Sequence, residues 1–113
     1  MVEPADPLIG GELIALLRRR WRASYDMQLV QRRGRLYLQV MWAYLEQQSF
    51  PLSAEDYSDR IDDLAALLNR LGVAAEVREW LSSTGERPRL GKAMTLALTV
   101  NPTLASEFLL DGR

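Results

Sequence analysis

The chain has 113 residues, of which 48% are apolar and 26% are charged, and its net charge is −1 at neutral pH. This length provides one hydrophobic core and not two, and this composition is typical of a globular domain rather than a disordered segment. The near-zero net charge argues against a protein that binds nucleic acid through bulk charge.

Cysteine and histidine are both absent from the sequence. Without cysteine, a disulfide framework, a thiolate nucleophile and a cysteine-ligated zinc or iron–sulfur site are excluded. Without histidine, the chain lacks the usual acid–base group near neutrality and the commonest nitrogen ligand of metals. We therefore predict no catalytic residue, no metal and no cofactor. A carboxylate-dependent enzyme remains open as a third class of function, behind two kinds of binding protein.

No apolar run approaches the roughly 20 residues that a transmembrane helix needs. The acidic, proline-bearing residues 1–7 do not resemble a signal peptide. We expect residues 1–8 to form a flexible lead before a single α+β domain over residues 9–113, in a cytoplasmic protein.

The first predicted element is a helix whose apolar residues recur at helical spacing: Leu13, Ile14, Leu17 and Trp21. Arg20 falls inside this apolar arc. Either its head group reaches solvent at a fraying helix end, or its guanidinium has a partner.

Two alternating runs follow, within residues 25–44, and the turn Arg32-Arg33-Gly34-Arg35 separates them. Period-two alternation of branched and aromatic residues predicts a β-hairpin, and Gly34 can supply the positive φ that a tight turn needs. Residues 41–48 either extend the second strand or form a helical turn. Propensity favours the helical turn from Ala43 onward.

The remaining elements are a long helix, a short helix, a third strand and a last short helix. Ser53 is a good N-cap for the long helix, and Gly72 a good stop for it. The third strand is predicted from the alternation that begins at Met94. The fold class is therefore α+β, in the order α-β-β-α-α-β-α: a hairpin plus a returning strand make a three-stranded sheet, with helices packed on one face.

The uncovered sheet face is the first candidate site. Tyr37 and Met41 lie on it by alternation, flanked by Arg32, Arg33 and Arg35. Tyrosine, methionine and arginine are favoured in protein interfaces, and the same groups could stack on and neutralise RNA. One solvated sheet face is also the ordinary state of a two-layer domain.

The second candidate is the basic loop of residues 87–92, in which Arg87, Arg89 and Lys92 lie close together. These cations could hold a phosphate or carboxylate, or they could pair with the acidic face of the long helix. That acidic face carries Asp56, Asp59 and Asp63; a solvated surface is the more expected reading, because a divalent-cation site usually recruits loop oxygens.

The sequence LQVMWAYLEQQSFPL at residues 38–52, followed by Tyr57 and by RPRLGKA at residues 87–93, resembles a family of cyanobacteria and plastids, the domain-of-unknown-function family DUF3067. The resemblance implies an oxygenic phototroph and a soluble cytoplasmic or stromal protein. It implies no activity, ligand or catalytic residue. We predict a non-enzymatic accessory or adaptor domain that binds a protein partner; the alternative is an RNA-binding module.

Overall fold

Three helices and three strands account for most of residues 6–100, which are the residues that the computed structural model describes. The three strands form one antiparallel sheet in the order β1-β2-β3, which confirms the predicted hairpin and returning strand. The predicted last helix, after Asn101, lies outside the described residues. In chain order the elements are α1 (Gly10–Trp21), β1 (Tyr25–Arg32), β2 (Arg35–Tyr44), α2 (Ala54–Arg70), α3 (Ala74–Ser83) and β3 (Met94–Ala97).

The β1–β2 turn has two residues in the left-handed region, Arg33 with φ 54° and Gly34 with φ 77°. Two consecutive positive φ values are typical of a type I′ turn, whose twist matches that of the flanking strands. The turn sets the register that pairs Leu29 with Leu38. Glycine adopts this conformation without cost, whereas Arg33 does so against the preference of an L-residue.

The end of β2 differs from the prediction. After a register shift, Tyr44 pairs with Tyr25, and the N–H of Leu45 donates to the carbonyl of Ser24 at 2.9 Å. The predicted helical turn from Ala43 is therefore wrong, and the strand extends through Tyr44. Pairing with β1 satisfies the backbone groups of this segment, so tertiary context overrides local propensity.

Helix α2 has the predicted limits at both ends. The hydroxyl of Ser53 accepts a hydrogen bond from the N–H of Asp56 at 3.0 Å. Gly72 has φ 75°, and the N–H of Val73 donates to the carbonyl of Leu68 at 3.1 Å, which is the bond of a Schellman motif. Both Leu68 and Val73 are buried, so the motif also closes the core at this end.

The core lies between the helices and one face of the sheet. Gly10 at the start of α1 is buried against α2, where a β-carbon would collide with the side chain of Asp62. Within residues 6–100, no helix is both long and apolar enough to cross a membrane. The buried apolar side chains include Leu13 and Leu17 of α1, Met27, Leu36, Leu38 and Val40 of the hairpin, Tyr57, Ile61 and Leu68 of α2, Val77 and Leu81 of α3, and Met94.

Arg20 joins α1 to α3. Its guanidinium donates to the carbonyl oxygens of Leu81, at 2.8 Å, and of Thr84. These carbonyls belong to the last turn of α3 and to its C-cap residue, where the helix leaves carbonyl oxygens unsatisfied. The reading of Arg20 as a solvent-reaching residue at a fraying end is therefore wrong; it has a partner, and that partner is the C-terminus of another helix.

The beginning of the described chain is held by side chains from α2 and α3. The side-chain amide of Asn69 accepts from the N–H of Leu8 and donates to its carbonyl, both at 2.8 Å. Leu8, the last residue of the predicted lead, is only 2% exposed and belongs to the core. Arg78 binds both carboxylate oxygens of Glu12 and the carbonyl of Asp6.

Candidate functional site: the open sheet face and the basic cleft

The open face is the side of the sheet opposite the core. The register pairs Val30 with Tyr37 and Gln28 with Gln39, and these residues alternate with the partly buried Leu29 and the buried Leu36, Leu38 and Val40. No element of residues 6–100 covers this face, and its side chains are all partly or fully exposed. We define the open face by its residues: Gln28, Val30, Tyr37, Gln39, Met41, Thr95 and Ala97.

The centre of the open face is polar, and its apolar side chains lie on either side of that centre along the strands. The side-chain amide of Gln28 lies 3.4 Å from Gln39 Oε1 and 3.4 Å from Met41 Sδ. Tyr37 lies opposite Val30 on β1 and opposite Ala97 on β3. The open face is therefore a mixed surface, with Tyr37 and Met41 as its two largest side chains.

The three hairpin arginines surround the tip next to Tyr37. Arg32 and Arg35 are a cross-strand pair, and Arg33 occupies the turn between them. All three are exposed, and neither ion pair found among the described residues includes any of them. Like charges directly opposite each other repel, so an anionic partner at this tip would relieve the repulsion between the arginines.

The basic loop forms a second small hairpin. Arg89 and Lys92 exchange two backbone hydrogen bonds of 3.0 and 2.8 Å, and Gly91 has φ 79°, as the third position of a type II turn needs. Leu90 at its tip is 90% exposed. The loop borders a cleft of about 540 Å³, which we call the basic cleft, lined by Gly85, Glu86, Arg87, Arg89, Lys92, Ala93, Met94 and Thr95.

The candidate residues form two separate groups: the arginines of the hairpin tip with Tyr37, and the cations of the basic cleft with Met41. Tyr37 is near the hairpin tip with its three arginines. Met41 follows Val40, which pairs with Met94, so it lies at the end of the sheet nearest the basic cleft. Arg35 and Met41 are six positions apart along β2, a distance of about 20 Å. The two basic groups therefore lie at opposite ends of the open face.

The acidic face of α2 does not pair with the basic loop. Asp56, Asp59 and Asp63 are exposed, and neither ion pair within residues 6–100 joins them to Arg87, Arg89 or Lys92. In the same range, no group of three carboxylates is placed to hold a metal ion. Among the described residues that line the basic cleft, Glu86 is the one carboxylate.

A polar cluster where β1 begins was not anticipated from the sequence. Ser24, 1% exposed, donates from its N–H and its hydroxyl to the two oxygens of Glu46, at 2.8 and 2.7 Å. The hydroxyl of Tyr57 donates to the carbonyl of Tyr25 at 2.8 Å. No spacing rule links Ser24 to Glu46, because the bulged end of the hairpin brings them together.

Burial and hydrogen bonding shift pKa values in this cluster. Burial raises the pKa of Asp26, against the opposing effect of Arg60, 3.4 Å away. Burial also acts to raise the pKa of Glu46, but the hydrogen bonds from Ser24 outweigh it, and the pKa lies below its ordinary value. Burial raises the pKa of the Tyr57 hydroxyl. These groups lie around the start of β1 and line no part of the basic cleft.

The DUF3067 family, a domain of unknown function, matches residues 11–109. The chain belongs to this family. The solution NMR structure of the Alr2454 protein from Nostoc sp. strain PCC 7120, a cyanobacterium, is similar, with 42% sequence identity and a TM-score of 0.77. The similarity covers 90% of this chain and 97% of the Nostoc chain. No curated protein matches the sequence. The resemblance found in the sequence is thus confirmed, and it brings no activity with it.

Proposed function

We propose that this DUF3067 chain is a non-enzymatic accessory domain that binds a protein partner in the cytoplasm of an oxygenic phototroph, with the open face as its contact surface. The observation that carries the proposal is the partial exposure of Tyr37 and Met41 on a sheet face that no element of residues 6–100 covers. The proposed residues are Arg32, Arg33, Arg35, Tyr37 and Met41, with Arg87, Arg89 and Lys92 at the far end.

The composition of the open face supports a protein rather than a small molecule. Interfaces favour an aromatic or methionine side chain at the centre of contact and arginine around it. Tyr37 among the hairpin arginines has that arrangement, as does Met41 near the basic cleft. The surface is shallow and partly polar, unlike the enclosed apolar pockets that bind metabolites.

An affinity pull-down from a cyanobacterial lysate tests the proposal. The wild-type chain and its variants serve as baits, and the amount of partner that each retains is compared. We expect a protein that the wild-type chain retains after nuclease treatment and at high salt. Tyr37→Ala and Met41→Asp should each weaken retention about 30-fold or more, as loss of a central contact does. Ile9→Ala is the matched apolar control, because Ile9 is 65% exposed and lies outside the sheet.

RNA binding would give the opposite pattern. The hairpin arginines beside Tyr37 also suit a stacked base and its phosphates. In that case, nuclease would abolish retention, and affinity would fall steeply with salt concentration. That outcome, or unchanged retention by both open-face variants, would contradict the proposal.

A further inference from the structure

The outer edge of β3 carries backbone groups that the sheet does not use. The N–H of Leu98 donates to the carbonyl of Leu36 at 3.0 Å, and the same register pairs Ala97 with Tyr37. Because hydrogen-bonding direction alternates along an antiparallel strand, the N–H and C=O groups of Thr95 and Ala97 point away from β2. Residues 6–100 offer these groups no hydrogen-bond partner.

The far end of this edge is occupied by a carboxylate of the same chain. Glu76 of α3 accepts from the N–H of Thr99 at 3.1 Å and from its hydroxyl at 3.0 Å. The contact covers the edge after Ala97, and no other residue in the range 6–100 bonds to the outward backbone groups of Thr95 and Ala97. Proteins usually protect such groups, since an exposed strand edge accepts another strand.

The basic cleft adjoins the uncovered part of the edge, since Thr95 belongs to both. The backbone pairing of Arg89 with Lys92 holds two like charges opposite each other, and Arg87 adds a third to the lining. Neither ion pair among the described residues neutralises these cations. A carboxylate-bearing ligand would remove this repulsion and form charge-assisted hydrogen bonds.

We infer that the edge of β3 accepts an acidic, extended segment of the partner as an additional strand. Its backbone pairs with Thr95 and Ala97, and its carboxylates contact Arg87, Arg89 and Lys92. Strand addition uses main-chain hydrogen bonds for affinity and neighbouring side chains for specificity, and the charge of the basic cleft selects an acidic sequence. The inference rests on the proposed function only in that the partner is a protein.

Hydrogen exchange of the free full-length chain is the first measurement. If the edge is open, the amides of Thr95 and Ala97 exchange rapidly, while those of Leu96 and Leu98 are protected by β2. Protection of Thr95 and Ala97 in the free chain at low concentration would mean that the edge is already paired, and would overturn the inference. Protection that grows with protein concentration would instead identify a second copy as the occupant, which also overturns it.

An NMR titration with a synthetic octapeptide of alternating glutamate and valine is the second measurement. We expect chemical-shift changes concentrated in residues 87–97 and new protection of Thr95 and Ala97. Lys92→Glu and Arg89→Glu should each weaken binding about tenfold or more, since each reverses a contacting charge. Arg70→Glu is the matched control, because Arg70 is exposed at the far end of α2.

Two further probes separate strand addition from simple charge attraction. The same octapeptide N-methylated at alternate residues keeps its carboxylates but cannot pair along the edge, so it should bind at least about tenfold more weakly. An octapeptide of alternating lysine and valine should not bind. Equal binding of the methylated peptide, or changes confined to the arginine side chains, would show an anion site without strand addition and overturn the inference.

Failure of the strand-addition inference is distinguishable from failure of the proposed function. Retention of an intact partner that depends on Tyr37 and Met41 would stand even if the acidic octapeptide did not bind. Absence of binding by the octapeptide would overturn the edge inference alone. Ala97→Pro removes one outward N–H of the chain at an edge position where proline is tolerated. It corresponds to N-methylation of the octapeptide and, like it, should weaken binding.

Discussion

The guanidinium of Arg20 on α1 donates a hydrogen bond to the carbonyl oxygen of Leu81 on α3, 2.8 Å away. A second bond reaches the carbonyl of Thr84, so one side chain binds two acceptors at the C-terminal end of a neighbouring helix. The same guanidinium lies 5.0 Å from the ring centre of Trp21. Arg20 therefore fixes the packing of α1 against α3 by hydrogen bonding as well as by contact.

Replacement of Arg20 should destabilise the fold. Arg20→Ala leaves two carbonyls without their charged donor and should lower the free energy of unfolding by about 1.5–3 kcal/mol. Arg20→Lys, which cannot bind two acceptors in a fixed fork, should recover part of that loss. Urea unfolding measures both. Arg19→Ala, at the exposed neighbouring position, should change stability by less than about 0.5 kcal/mol; equal losses at the two positions would contradict this role for Arg20.

The two glycines that open α1 should respond oppositely to alanine. A β-carbon at Gly10 would collide with the side chain of Asp62 and lie 3.0 Å from its backbone nitrogen. Gly10→Ala should therefore lower the free energy of unfolding by about 1–3 kcal/mol. A β-carbon at Gly11 meets nothing within 4 Å, so Gly11→Ala should raise it by about 0.5–1 kcal/mol through helix propensity. Thermal unfolding of both variants measures these changes in stability. A Gly10→Ala variant more stable than wild type would mean that α1 and α2 are not this close.

The hairpin turn should become more stable when Arg33 is replaced by asparagine. Arg33 has φ 54°, a conformation that asparagine adopts more readily than arginine. Asn-Gly is the preferred pair for a type I′ turn, so Arg33→Asn should raise the free energy of unfolding by about 0.5–1 kcal/mol. Chemical denaturation measures the change. A destabilising effect would show that the turn has another geometry.

Asp26 should reduce stability at neutral pH. Burial raises the pKa of Asp26 above 3.8, so the folded state binds the carboxyl proton more tightly than the unfolded state does. The stability that this difference contributes is lost as pH rises through the folded pKa. Asp26→Asn imitates the neutral form and should raise the free energy of unfolding at neutral pH by less than about 1 kcal/mol. The gain should vanish below pH 3.8. A loss at neutral pH would mean that the ion pair with Arg60 outweighs burial.

Glu46 should show the opposite pH dependence. The pKa of Glu46 in the folded state lies below 4.5. The stability that the ionised side chain contributes is therefore complete above pH 4.5 and is lost as pH falls through the folded pKa. Glu46→Gln should lower the free energy of unfolding at neutral pH by about 0.5 kcal/mol, since solvent screens a side chain this exposed. Wild type and variant should converge in acid. Denaturation across a pH series measures the difference, and a constant gap at all pH values would contradict it.

Periodicity and terminus signals were sufficient to predict most of the elements. The stripe from Tyr57 to Leu71 predicted α2, and Ser53 and Gly72 predicted its ends, because caps depend on residues near in sequence. Alternation predicted all three strands and separated the buried Leu38 from the partly exposed Tyr37. These features follow from local geometry, so a single sequence contains them.

Contacts between distant residues could not be predicted in this way. Arg20 was conspicuous because it interrupts an apolar arc, yet nothing in the sequence names Leu81 as its partner. The continuation of β2 beyond Ala43 depends on pairing with Tyr25, which outweighs the helical preference of the segment. The candidate residues themselves were found by type, whereas the separation of Tyr37 from Met41 and the basic cleft became visible only with the strand register.

That separation sets a minimum length for any ligand that engages both basic groups. About 20 Å of sheet lies between the hairpin tip and Met41, which corresponds to roughly six residues of extended chain. A mononucleotide or a single amino acid reaches one group or the other and never both. Screens with metabolite-sized compounds would therefore sample each half of the surface alone, and only polymers of this span can reveal whether the two halves act together.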